Sequence, residues 1–405
     1  MITIDQIYMN LYNTYGKQYW WPADNDIEMM IGAVLVQNTN WSNVETALKN
    51  FSSWHGHKIL NMPLDTLIEV IKPAGFYTRK AQTIKNLLSW FETYQFDKQK
   101  LESIPTLDLR NELLSIHGIG EETCDCILLY LFNRPVFVVD AYLKRLLIRT
   151  GHPEMKSYQK IQKYMMDSLP LDTYLFQEFH ALIVAYGKDH LKPIPHPTLT
   201  DPLNDETPFV SYSLAQIQEI SNQPFIAMMI DTYGYIQRPS HPDPFWGIIY
   251  AIVGQLISAP AAKTIMKRFT DTFPTQEAVR DASIEDLKSV GLTLSKADYI
   301  SLIAQEMESG NLNLNALYEM PDDQAIKELT RLKGIGVWSA KIILIHSYNR
   351  LNLDTYEDIA LRNSVKSFLQ LEEMNRDTFE HYFKSYEPYR SIACIYHWYY
   401  IAQIK

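Results

Sequence analysis

The chain has 405 residues, 46% hydrophobic and 21% charged, an ordinary globular composition long enough for two domains of roughly 200 residues, each able to bury a core. Its three cysteines, Cys124, Cys126 and Cys394, have no paired spacing, which argues against a disulfide framework and against a zinc or iron–sulfur site, and no membrane span is proposed. The net charge of −10 weighs against a strong non-specific DNA binder, although a protein that meets DNA over one concave face can be acidic elsewhere.

Met1-Ile-Thr-Ile-Asp lacks the basic start and apolar segment of a secretory signal, so a cytoplasmic location is expected. Apolar spacing then predicts helices over 27–36, 41–54, 64–71, 80–94 and 106–115. Gln37-Asn-Thr-Asn breaks the first pair, and Pro73-Ala-Gly75 stops the third. The β-branched run 136–139 reads as a short extended link, followed by helices over 158–169 and 174–186. Prolines 193, 195, 197, 202 and 208 then exclude helix and packed strand. The expected organisation is a first domain over 1–192, a Pro-rich linker over 193–210 and a second domain over 211–405. The second is predicted to be helical again over 245–257, 259–273, 283–290, 295–308, 322–332, 337–348 and 359–369.

One stretch organises the first half: Leu113-Leu-Ser-Ile-His-Gly118-Ile-Gly120-Glu-Glu-Thr, then Val138-Val-Asp140. Two glycines allow a tight turn whose N–H groups approach an anion, and the next helix adds its positive dipole end. Its echo is Leu329-Thr-Arg-Leu-Lys333-Gly334-Ile-Gly336-Val-Trp338, followed by Asp358. A shift of 216 positions superposes Gly75 on Gly291, Lys80 on Lys296, Pro105 on Pro321, Gly118 on Gly334 and Asn133-Arg134 on Asn349-Arg350. Asp140 meets Asp358, and Gln37 meets Gln255, at a shift of 218. Such a repeat means two related all-α domains.

A phosphate-gripping hairpin near one carboxylate, without metal ligands or a nucleophile triad, suits hydrolysis of an N-glycosidic bond, where a carboxylate stabilises an oxocarbenium-like sugar and orients water. The target base must leave the duplex, so a wedge and an aromatic pocket are needed. Gln37, Gln255 and Leu256 are candidate wedges. Trp20, Trp21 and Trp41 in the first half, and Trp338, Tyr386 and Tyr389 in the second, are candidate pocket walls. Each has a plainer reading: the aspartates as helix N-caps, the aromatics and Leu256 as core, and Lys333 and Arg390 as solvated cations.

These motifs resemble the helix-hairpin-helix DNA glycosylases of the endonuclease III superfamily over nearly the whole chain. Tyr19-Trp-Trp-Pro, Val36-Gln-Asn-Thr, His117-Gly-Ile-Gly and Val138-Val-Asp-Ala-Tyr are similar to 3-methyladenine DNA glycosylase III. Ala251-Ile-Val-Gly-Gln-Leu-Ile-Ser, Lys333-Gly-Ile-Gly-Val-Trp-Ser-Ala and Tyr386-Glu-Pro-Tyr-Arg are similar to the type II enzymes. The resemblance implies two tandem glycosylase domains, Asp140 and Asp358 as catalytic acids, and DNA contact through Gly118, Gly120, Gly334, Gly336, Lys333 and Arg390. Bifunctional members carry a Schiff-base lysine two residues after the second hairpin glycine. Glu122 and Trp338 stand there, so strand cleavage is not expected. No cluster cysteines follow Tyr186, so no cofactor or metal is expected. The implied activity is monofunctional removal of alkylated bases such as 3-methyladenine from double-stranded DNA, by a protein expected to be a monomer.

Two other readings stay open: one half, with the acidic first hairpin pointing to the N-terminal one, is a non-catalytic DNA-binding or scaffold module, or the whole chain is a protein-binding helical scaffold.

Overall fold

The computed structural model describes residues 2–191, 201–203 and 208–404, and these divide with the chain into two compact units, Met1–Asn204 and Asp205–Lys405. Both are built of helices, and among the described residues the only β-type pairing is a single bridge, Phe209 to Pro239. Most of the Pro-rich linker lies outside the described residues. Of its described parts, Asp201 receives an ion pair from Arg149 and a hydrogen bond from Tyr186 at 3.2 Å within the first unit. Val210 donates to Arg238 O at 2.9 Å within the second.

Each unit is centred on one apolar helix, Asp26–Leu35 and Pro244–Gly254. Ile27 and Met29 to Leu35 are buried, as are Phe245, Ile248, Ile249, Ala251, Ile252 and Val253. That all-round apolar surface requires neighbours on every side. Glu121–Tyr130 and Tyr77–Thr93 supply them in the first unit, and Val337–Ser347 and Leu294–Glu308 in the second. Side-chain caps start the central helices: Asn25 accepts from Glu28 N at 2.9 Å, and Asp243 accepts from Phe245 N at 2.9 Å.

The repeat seen in the sequence recurs as hydrogen bonding. Buried Lys80 donates through Nζ to Leu35 O and Ala74 O, both at 2.8 Å, while Lys296 donates to Val253 O at 2.9 Å and Gln255 O at 2.8 Å. These bonds satisfy the carbonyls left open where each central helix ends. The second central helix therefore stops at Gly254 rather than at 257. Helix Trp41–Leu48 also ends short of 54: Asn50 leaves the axis to donate to Val70 O at 2.9 Å, and Phe51 stacks on Trp54 at 4.9 Å. Helices Ile4–Tyr15, Pro224–Tyr233, Arg376–Lys384 and Arg390–Gln403 add to those expected from apolar spacing.

Arg134 Nη2 donates to the carbonyls of Leu101, Glu102 and Ile104 at 2.9, 2.8 and 3.0 Å. Arg350 Nη2 does the same to Leu317, Tyr318 and Met320 at 2.8, 3.0 and 2.8 Å, each residue 216 positions on. One guanidinium thus gathers three carbonyls at a helix end, of which Leu101 O also accepts from Ile104 N at 3.1 Å. Charge-assisted bonds of this kind contribute about 1.5–3 kcal/mol each, and the three share one cation. Arg350→Ala is expected to lower unfolding free energy by about 2–4 kcal/mol. Urea titration of the variant measures it, and an unchanged midpoint would show the carbonyls to be satisfied otherwise.

Candidate active sites

In the first unit the hairpin joins helices Thr106–Ser115 and Glu121–Tyr130. Gly118 has φ +98°, and a Cβ there would collide with Thr83 Oγ1. Its counterpart Gly334 has φ +91°, and a Cβ would collide with the ring of Tyr299, which is Thr83 shifted by 216. Glycine is required at both positions by conformation and by space. Among the described residues the N–H groups of Gly118, Gly120, Gly334 and Gly336 find no acceptor, so both hairpins present open main-chain donors at a helix N-terminus.

Gln37 and Gln255 do not project as wedges. Gln37 Nε2 donates to Gly118 O at 3.2 Å and Thr123 Oγ1 at 2.9 Å; Gln255 Nε2 donates to Gly334 O at 2.8 Å and Ser339 Oγ at 3.0 Å. An amide whose donors are taken by its own hairpin braces the loop. The residue after it stands out instead. Leu256 is wholly exposed with φ +58°, and Asn38, its equivalent, is exposed with φ +52°. A leucine held in left-handed backbone with its side chain in water gives up both conformational and burial energy. Sequence reasoning passed over Asn38, which its own 218-residue shift pairs with Leu256.

Asp140 and Asp358 each cap the next helix. Asp140 Oδ1 accepts from Leu143 N at 2.7 Å, and Asp358 Oδ1 from Leu361 N at 2.9 Å. Their second oxygens differ in surroundings. Asp358 Oδ2 accepts from Trp338 Nε1 at 2.9 Å. Glu122, which replaces Trp338 in the first unit, makes no hydrogen bond or ion pair among the described residues. Burial pushes the Asp140 carboxyl from its ordinary 3.8 to about 7, the Leu143 N–H opposes this, and the Glu122 charge adds to it. Desolvation among its neighbours raises the Glu122 carboxyl as well, although the residue stays solvent-exposed, and Lys144 opposes it. Glu121 faces elsewhere, held by Gln159 at 2.5 Å and Arg110 at 3.6 Å.

Trp20, Trp21 and Trp41 converge, all half-buried. Trp20 and Trp41 both lie 5.3 Å from Trp21, which is also 5.3 Å from Tyr130. Trp20 packs on His180 at 5.5 Å, and His180 faces the Tyr130 hydroxyl at 2.8 Å. Burial holds the His180 pKa down to about 3, so its ring is neutral. Burial pushes the Tyr130 hydroxyl well above its ordinary range.

In the second unit the expected walls fare differently. Tyr386 is fully buried and donates to the Tyr382 hydroxyl at 2.7 Å, so it is core and not an open wall. Tyr389 is half-buried and bonds Glu219 at 3.3 Å. Arg390 is spent on Asp354 at 2.7 Å and Asn352 at 2.9 and 3.0 Å, and Lys333 pairs with Asp298 at 2.9 Å while staying exposed. The second unit has a different aromatic group: the Arg238 guanidinium lies 4.5 Å from the Trp398 ring, His346 lies 6.0 Å from Trp398, and His241 packs on Tyr250 at 4.2 Å. The sequence did signal these: Trp20 shifted by 218 is Arg238, and His180 shifted by 218 is Trp398.

Among the described residues no group of three or more His, Cys, Asp or Glu side chains could hold a metal ion, and no helix is long and apolar enough to cross a membrane. Residues 31–171 and 249–388 each match the sequence model of the HhH-GPD superfamily of base excision DNA repair proteins. The chain belongs to that superfamily. It is 44% identical over 191 residues to a protein of Methanocaldococcus jannaschii named provisionally as a DNA repair glycosylase, covering 46% of this chain and 87% of that one. It is 30% identical over 182 residues to DNA-3-methyladenine glycosylase 1 of Schizosaccharomyces pombe, covering 43% and 79%. A solved DNA-3-methyladenine glycosidase from Bacillus halodurans aligns at 27% identity and a TM-score of 0.42, covering 47% and 90%. As a DNA glycosylase of this superfamily, the protein carries the hairpin and its aspartate twice.

Asp140 holds its proton more tightly folded, at about 7, than unfolded, near its ordinary 3.8. Ionising it therefore costs stability progressively as pH rises from about 4 to about 7, and the cost is complete above that window. Asp140→Asn keeps a capping oxygen and removes the charge. It is expected to raise the melting temperature at pH 8, by roughly 2–4 °C for each kcal/mol relieved, and to have far less effect at pH 4. Calorimetry at the two pH values decides, and a variant melting lower at pH 8 would contradict it.

Proposed function

We propose that the protein removes alkylated bases such as 3-methyladenine from double-stranded DNA by hydrolysing the N-glycosidic bond, and leaves the strand uncut. What carries this reading is the pairing, in each unit, of a helix-capping aspartate with a hairpin whose lysine position holds Glu122 or Trp338. A single carboxylate is adequate because an N-alkylated purine bears positive charge and its bond to the sugar is already weakened. The open N–H groups at Gly118, Gly120, Gly334 and Gly336 would take phosphate oxygens, with exposed Lys333 adding charge nearby. Leu256, and Asn38 in the first unit, would enter the stack vacated by the extruded base. Trp20, Trp21, Trp41 and Trp338 would face that base, where a cation over a ring gains roughly 0.5–2 kcal/mol. Asp140 or Asp358 would then stabilise the sugar cation and receive a proton from the attacking water.

The test is base release from alkylated duplex DNA by the wild type, Asp140→Asn, Asp358→Asn and the double variant. The double variant is expected to lose at least ~100-fold in single-turnover rate, and full retention would overturn the mechanism. If Asp140→Asn changes no activity and Asp358→Asn abolishes all of it, the first unit is a non-catalytic module. No covalent DNA adduct should appear on borohydride treatment, because no lysine occupies the Schiff-base position.

Trp338→Phe keeps the ring but removes the 2.9 Å bond to Asp358. It is expected to lower release from the second site about tenfold. An unchanged rate would show that Trp338 does not orient the acid.

A further inference from the structure

The fifth residue of the helix that follows each hairpin is an ion, and its sign differs between the units. It is Asp125 in Glu121–Tyr130 and, 216 positions on, Lys341 in Val337–Ser347. Both are sheltered: Asp125 is wholly buried, and the Lys341 side chain is 16% exposed.

The Asp125 carboxylate accepts three bonds. Arg110 Nε donates to Oδ1 at 2.7 Å and Nη2 to Oδ2 at 3.0 Å, and Gln162 Nε2 donates to Oδ2 at 2.8 Å. The same Gln162 nitrogen donates to Phe137 O at 2.8 Å, three residues before Asp140. One turn earlier on helix Tyr158–Asp167, the Tyr158 hydroxyl accepts from Val139 N at 3.2 Å. That helix splints the buried ion to the extended link that ends at the acid.

Lys341 reaches the matching link directly. Its Nζ lies 3.4 Å from Glu357 Oε2 and 4.0 Å from Asp354 Oδ1, and Glu357 immediately precedes Asp358. Each carboxylate has a second cation: Arg376 Nη2 lies 3.0 Å from Glu357 Oε1, and Arg390 Nη1 lies 2.7 Å from Asp354 Oδ2. The exchange is concerted. At a shift of 218 the first unit has Val139 and Val136 where the second has Glu357 and Asp354, and at 216 the second has Ile326 where the first has Arg110. Sheltered ion pairs seldom stabilise a fold more than apolar residues of the same size would. What both units keep, with opposite signs and different partners, is the tie between hairpin helix and link.

From this we infer, resting on the glycosylase reading above, that Asp125 and Lys341 are positioning residues, each coupling a phosphate-seated hairpin helix to the aspartate that acts on the sugar. The N–H groups of Gly120 and Gly336 stand at the start of the same two helices, five residues from the ion. A phosphate held there fixes the helix on the duplex, and the ion fixes the link to the helix. The aspartate must meet C1′ once the base has left the stack, and a misplacement of about 1 Å at that step can cost on the order of 100-fold in rate. Both ions act through the aspartate and not on the substrate.

The full-length chain tests this on a duplex methylated to carry 3-methyladenine, with a duplex carrying a tetrahydrofuran abasic analogue for binding. Gln162→Met keeps the Arg110–Asp125 pair and removes the bond to Phe137 O; it is made in Asp358→Asn, so that only the first site acts. Lys341→Gln is made in Asp140→Asn, so that only the second acts. Each should slow single-turnover release about tenfold against its parent, while Kd for the abasic duplex changes less than about twofold. Lys341→Arg should restore most of the rate. Adding Glu357→Gln to Lys341→Gln should cost little more, because both break one tie. If a parent releases 3-methyladenine and its variant releases it as fast, or Kd rises in step with the lost rate, the coupling is wrong while the glycosylase reading stands. If wild-type protein releases no base, both fall.

Discussion

Each site hangs on the carbonyl of the first hairpin glycine. Gly118 O and Gly334 O turn toward the amides of Gln37 and Gln255, and that bond ties the exposed loop tip to the hairpin turn. Only glycine lets the carbonyl reach that position, because φ is near +95° and Thr83 or Tyr299 fills the space a Cβ would need. The same amides reach Thr123 and Ser339 in the first turn of the following helix. Tip, turn and helix therefore move as one piece. Lys80 and Lys296 fix the other side of the tip by holding the last carbonyls of the central helices, and burial lowers the Lys80 ammonium to about 8 as the cost of that position.

The aspartates show how one frame can hold unlike acids. Both are N-caps, so their geometry comes from the helices they start. Asp140 is buried beside a second carboxyl and stays reluctant to ionise, whereas Asp358 is half-buried and takes a second donor from Trp338. The stability spent on charging Asp140 is consistent with a group kept for chemistry, since an asparagine would cap as well without the charge.

The pockets follow the same pattern of fixed scaffold and exchanged side chains. In the first unit Gly32 leaves room for Trp21, whose Nε1 lies 3.4 Å from where a Cβ would stand. In the second, Tyr250 occupies the matched position and packs on His241 at 4.2 Å. The positions matched to Trp20, Trp21 and Trp41 are Arg238, Pro239 and Ala259, so the three indoles have no counterpart and Arg238 lies over Trp398 instead.

The sequence by itself determined the helical class, the duplication and both glycine hairpins, because those depend on local spacing, glycine conformation and a repeat that a fixed shift reveals. It also determined the lysine-free positions at Glu122 and Trp338. It misjudged Gln37 and Gln255, since a glutamine beside a helix break looks the same whether it points outward or bonds a carbonyl 81 or 79 residues away. It likewise took Tyr386 for a wall, although helix packing places that ring in the core. Only the tertiary structure decided that Arg238, His346 and Trp398 meet, because more than 100 residues separate Arg238 from each of its partners and no local pattern records which faces turn toward each other.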